Sequence, residues 1–187
     1  GNPLIASISP TYNSLAFVYK KMMKQYNWTN VLLLHADYSD DIYNSYDDHY
    51  HIGGRKRNAK MATHDKAKRQ EDAIDVIKEV FKSLENDDLN FSFESFSFPS
   101  NNDYEKNIVL EKIKRMGRII ILLLEEEQMI EVLRLSKKIN FDQKEFMFIL
   151  TYELIPKDKI LAPWLRNGTS EDMHLFDNVF QVTASGV

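Results

Sequence analysis

The chain has 187 residues, 43% hydrophobic and 28% charged, with no cysteine and a formal net charge of −4. This length and balance suit a globular chain with a substantial core and exclude a disordered one. The missing cysteines exclude disulfides, thiolate catalysis and cysteine zinc sites, the acidic balance argues against nucleic acid as a general partner, and no apolar run approaches the ~18 residues of a membrane span.

The chain begins without a methionine, in "GNPLIASISP", and is expected to be a piece of something longer. Tyr12, Leu15, Ala16, Tyr19, Met22, Met23 and Tyr26 recur at three and four, which predicts a helix, with Thr11 as its cap. "WTNVLLLH", Trp28 to His35, reads as a buried strand. A polar stretch follows, about residues 42–70, long for a loop and expected to be functional or mobile. Ala73, Ile74, Ile77, Val80, Phe81 and Leu84 form the next helical stripe.

"NFSFESFSF" reads as a strand whose phenylalanines change parity between Phe93 and Phe96. A bulge near Glu94-Ser95, or an early end, would reconcile them. A helix is predicted over about 103–116, with Tyr104, Ile108, Val109 and Ile113 inward. "RIIILLL" is a continuous apolar strand of the kind covered on both faces. A helix over 126–139 has an acidic start that suits its dipole, and Asn140 is placed to end it. "EFMFIL" is another buried strand. A long connection with Pro156, Pro163 and Trp164 leads to a final strand in "NVFQVT".

Alternation of this kind predicts an α/β fold: a three-layer αβα sandwich around a mostly parallel sheet. Residues 1–187 read as a single α/β lobe carrying the 42–70 insertion. Ligands of such sheets sit outside the carboxyl ends of the strands. Those ends are here 35–41, 98–101, 124–126 and 151–153.

Several clusters carry possible chemistry. Asp37, Asp40 and Asp41 follow a strand and would suit Mg²⁺ or a phosphoryl group, but no P-loop or G-x-G-x-x-G accompanies them. The plainer reading is a solvated strand-end loop. His49, His51 and His64, with Asp47 and Asp48, read as loop histidines rather than a metal site, since no metalloprotease spacing is present. The basic run from Arg55 to Arg69 reads as a solvated mobile segment, with an acidic partner as its alternative. No G-x-S-x-G elbow supports a hydrolase. Tyr38, Tyr43, Tyr46 and Tyr50 crowd one strand-end segment, and tyrosine is favoured at recognition surfaces. Sequons at Asn27, Asn90 and Asn167 point to the secretory pathway, against the weak pull of absent cysteines toward a reducing compartment.

Four segments together resemble the ligand-binding region of natriuretic-peptide-receptor-type guanylyl cyclases. They are "YNWT"; Tyr38-Ser39-Asp40-Asp41; Lys114-Arg115-Met116-Gly117-Arg118-Ile119-Ile120; and Pro163-Trp164 through Glu171-Asp172. The resemblance covers most of the chain except about 47–70. It implies the second lobe of a bilobal, type I periplasmic-binding-protein-like ectodomain, at the extracellular face of the plasma membrane. It also implies a peptide or small-molecule ligand, a homodimer formed through the first lobe, and a membrane held only by the parent chain. No catalytic residue and no cofactor are expected in this chain. The family's disulfide in this lobe has no counterpart here. Tyr38, Ser39, Asp40, Tyr43, Tyr46, Glu125, Tyr152 and Glu153 are the expected ligand-rim residues. The alternatives are a glutamate-type receptor domain or soluble binding protein of the same fold, and an intracellular Mg-dependent enzyme or receiver-like domain using Asp37, Asp40 and Asp41.

Overall fold

The computed structural model describes residues 5–8, 12–38, 54–88, 90–141, 145–151 and 179–184. In chain order these are β1 (Ile5–Ile8), α1 (Tyr12–Gln25), β2 (Asn30–Ala36), α2 (Gly54–Asp87), β3 (Ser92–Phe98), α3 (Asp103–Met116), β4 (Ile119–Leu123), α4 (Glu126–Lys138), β5 (Met147–Thr151) and β6 (Val179–Ala184). The six strands form one sheet in the order β1-β6-β5-β4-β2-β3, and each neighbouring pair runs parallel. Parallel neighbours need long crossovers, and the four helices lie in the connections that lead in turn from β1 to β5.

The helices divide between the two faces of the sheet. Helices α1 and α2 pack together, with Tyr19 6.1 Å from Phe81 and Phe81 stacked 4.9 Å from Phe93 of β3. Lys112 and Lys106 of α3 lie 5.0 Å and 5.7 Å from the Phe96 and Phe98 rings on the other face. This placement explains the phenylalanine parity without a bulge. Strand β3 pairs with β2 residue for residue from Asn30↔Ser92 to Ala36↔Phe98, across Glu94 and Ser95. Phe93 and Phe98 are both buried because both faces of β3 are covered. Strand β4 is buried for the same reason.

Three further expectations change. Strand β1, in "IASI", adds an element to those expected; among the described residues it pairs with β6 alone, at the sheet edge. Residues 54–70, expected as loop, are the first half of a 34-residue helix. In α3, Tyr104 and Ile108 face outward, 75% and 48% exposed, while Lys106, Leu110 and Ile113 are buried. A lysine holds the inward position because its ammonium reaches Glu131 Oε1 at 2.7 Å and lies over the Phe98 ring at 5.7 Å. That hydrogen bond is the leading cause of its raised pKa.

Two asparagines terminate helices in the left-handed conformation, Asn27 (φ 51°) after α1 and Asn140 (φ 59°) after α4. Each turn closes with the same pair of bonds. Trp28 N donates to Met23 O and Asn27 N to Lys24 O; Phe141 N donates to Ser136 O and Asn140 N to Lys137 O. This is the Schellman arrangement, in which a residue with positive φ lets the chain leave the helix. At α3 the Asn102 side chain accepts from Tyr104 N and Glu105 N, satisfying amides that the helix itself leaves unpaired. Gly117, between α3 and β4, has extended backbone, and its role is spatial. A Cβ there would lie 3.2 Å from Leu32 Cγ and Cδ1.

Candidate functional site

Strand order locates the site. Strand β2 leads outward through α2 to β3, whereas its neighbour β4 leads the opposite way through α4 to β5. The carboxyl ends of β2 and β4 therefore flank the point where the winding reverses. Sheets of this kind bind ligands in the crevice that forms there.

Tyr38 follows β2, Glu125 follows β4, and the two meet. The Tyr38 hydroxyl donates to Glu125 Oε1 at 3.4 Å, and Gln70 Nε2 donates to the same oxygen at 3.0 Å. Tyr38 and Gln70 are buried, at 9% and 5% exposure, and Glu125 is half-buried. Glu125 occupies the N-cap of α4, yet its carboxylate makes no capping bond to that helix. Its oxygen faces the rim instead. The arrangement offers a carboxylate held by two neutral donors from separate elements. It can accept further hydrogen bonds or face a cation.

His35, one turn of pleat below, donates from Nδ1 to Ala36 O at 2.8 Å, given the tautomer that protonates that nitrogen. Burial lowers its pKa, against a raising contribution from that hydrogen bond. The rim histidine is thus held toward its neutral form.

Of the expected rim residues, the structure brings Tyr38 and Glu125 together. Ser39, Asp40, Tyr43, Tyr46, Tyr152 and Glu153 lie outside the described residues, as do Thr11, Asp41, Asp47, Asp48, His49, Tyr50, His51, Pro156, Pro163, Trp164 and Asn167. Asp37 is exposed, and His64 falls within α2. Gln70 was not anticipated. Its only sequence signal is its position three residues before Ala73, continuing the apolar stripe of α2 toward the helix start. Among the described residues, no group of three or more His, Cys, Asp or Glu could hold a metal ion, and no helix is long and apolar enough to cross a membrane.

Two hollows open at the other end of the sheet and share Asn27, Trp28 and Thr29. Leu84, Asp87 and Phe91 wall one; Arg115, Gly117 and Arg118 wall the other. Both lie at the amino ends of the strands, away from the winding reversal, so they are weaker candidates than the Tyr38–Glu125 rim. The same end carries two exposed sequon asparagines, Asn27 and Asn90, in the turns that precede the adjoining strands β2 and β3, where Ser92 N donates to Thr29 O at 2.7 Å.

None of the curated proteins compared with the chain matches it. The family model described as "Receptor family ligand binding region" matches residues 3–186. That match, nearly the whole length of a doubly wound parallel α/β sheet, shows that the chain belongs to the receptor ligand-binding region family, whose role is to bind a ligand rather than to catalyse.

Proposed function

We propose that this chain is the second lobe of the extracellular sensor of a receptor guanylyl cyclase. Ligand meets the strand-end rim around Tyr38, Ser39, Asp40, Tyr43, Tyr46, Glu125, Tyr152 and Glu153. It shifts the lobes within a dimer built through the first lobe, and the parent chain converts that shift into cGMP synthesis. The supporting observation is the meeting of Tyr38 and Glu125 at the winding reversal. A ligand there acts by favouring one arrangement of lobes over another, which requires only unequal affinity for the two.

The choice of guanylyl cyclase over other receptors of the family rests on the four sequence segments above. Reading the parent transcript on both sides tests it. A membrane helix followed by a cyclase domain supports the proposal, and a channel or a secreted end contradicts it. Extracellular placement has its own test in native material. Glycan mass on Asn27, Asn90 or Asn167 supports it, and three unmodified sequons count against it.

A further inference from the structure

Helix α2 is longer than the sheet it covers. Leu84 lies beside Trp28 and Phe91 at the amino end of the sheet, and Gln70 reaches Glu125 at the carboxyl end. Residues 70–84 therefore span the whole strand height, about 21 Å at the helical rise. The helix nevertheless begins at Gly54. Residues 54–69 thus run some ~24 Å past the carboxyl ends of the strands, on the ligand-rim side.

The composition of this overhang differs from that of the chain. It carries seven basic residues against the single acid Asp65, in a chain whose formal net charge is −4. Positions 56, 60, 64 and 68 recur every four residues, and position 57 adjoins them. Helical spacing places Lys56, Arg57, Lys60, His64 and Lys68 along one side of the backbone for about 18 Å, and Lys68 at the end of the row pairs with Asp72 at 3.2 Å. Three cations in the first turn also oppose the helix dipole, a local cost that a bound anion offsets.

We propose that this overhang binds a sulfated polysaccharide of the glycosaminoglycan class. Basic positions recurring along one continuous helix match a stiff chain with regularly spaced sulfates and carboxylates, and short basic clusters of this kind serve as such patches. An anionic lipid surface fits less well. Interfacial helices need an apolar face with Leu, Phe or Trp, and residues 54–69 contain none of these. The acidic remainder of the chain repels a polyanion, which confines binding to the overhang. The row lies on the rim side, so a bound polysaccharide would hold the ligand face against the extracellular matrix. Use by a cell rests on the extracellular placement proposed above, which glycan mass tests separately. Binding itself belongs to this chain's charges and can fail while that placement stands.

The test is titration of the 187-residue chain with a heparin decasaccharide at several NaCl concentrations. The variant Lys56→Ala/Arg57→Ala/Lys60→Ala is compared with Lys20→Ala/Lys24→Ala/Lys82→Ala, which removes equal charge elsewhere. The expected result is at least tenfold weaker binding for the first and less than twofold change for the second, with affinity falling as salt rises. The variant Lys56→Arg/Lys60→Arg keeps the charge and is expected to bind as the parent does. Equal losses in the two alanine variants overturn the proposal, as does loss of binding in the arginine variant. Equal affinity for unsulfated hyaluronan also overturns it, as does binding to phosphatidylserine vesicles but not to heparin.

Discussion

The Tyr38 hydroxyl stands 3.4 Å from Glu125 Oε1, two side chains 87 residues apart in sequence, joined because β2 and β4 are neighbours. Gln70 completes the group from α2 at 3.0 Å. The two bonds differ in strength. A hydroxyl donor at 3.4 Å is long, whereas the amide donor lies within the ordinary range for an N–H···O bond. Gln70→Leu is therefore expected to cost about 1–2 kcal/mol, and Tyr38→Phe under about 1 kcal/mol. Urea unfolding of both variants checks this order, and a larger loss from Tyr38→Phe would contradict it.

His35 brings pH into the same region. Burial, with Lys78 as a smaller cause, lowers its pKa from 6.5; the Ala36 carbonyl, Asp37 and Asp75 pull the other way. The folded state thus binds the proton less readily than the unfolded chain. Stability from the neutral ring is complete above the unfolded value and is lost as pH falls below about 6.5 toward the folded one. Thermal midpoints from pH 8 to pH 5 are expected to fall more steeply in the parent than in His35→Gln. Identical slopes would remove His35 from the account.

Gly117 illustrates a glycine kept for space. Its φ of −165° is open to any residue, so strain is not the issue. A methyl group would press on Leu32, which is 1% exposed. Gly117→Ala is expected to destabilise by about 1–2 kcal/mol. Pairing it with Leu32→Val should give less than the sum of the two single losses, because one methyl makes room for the other. Strict additivity in denaturant unfolding would show that the contact is already relieved.

Asn27 combines a left-handed turn with a sequon. Asn27→Gly keeps the turn while abolishing the acceptor, and it should change stability by only a few tenths of a kcal/mol. Asn27→Ala is expected to cost about 1 kcal/mol, because its Cβ opposes positive φ. Thermal melts of the unglycosylated chain distinguish the two. Secreted Asn27→Gly material should also lose the mass of one glycan.

Much of the fold is legible in the sequence because period and burial coincide. "VLLL" and "IIILL" are continuous apolar runs because both of their faces are covered; Ala16, Tyr19, Met22 and Met23 of α1 and the stripe of α2 turn inward as expected, whereas Tyr26, past the end of α1, is 42% exposed. Legibility fails where a polar residue does an apolar one's work. Lys106 points inward while Tyr104 and Ile108, expected inward, face solvent, because an ion pair with Glu131 is invisible in a periodicity. The overhang of α2 was hidden for a related reason. Without an apolar stripe before Ala67, nothing in residues 54–66 marks a helix, although the backbone continues as one. Strand β1, four residues long, is too short for its alternation to register. Tyr38 and Glu125 were both legible as strand-end residues, but their meeting depends on the strand order, which the sequence does not display.

The most direct test of the account is the ligand response of the full parent receptor, read as cGMP in cells challenged with fractionated extract of its source tissue. Tyr38→Ala and Glu125→Ala at the rim are compared with Arg115→Ala at the opposite end of the sheet, with surface expression matched. The account predicts at least a tenfold rise in the half-maximal dose for each rim variant and none for Arg115→Ala. Rim variants that respond like the parent, or an equal loss in all three, would contradict it.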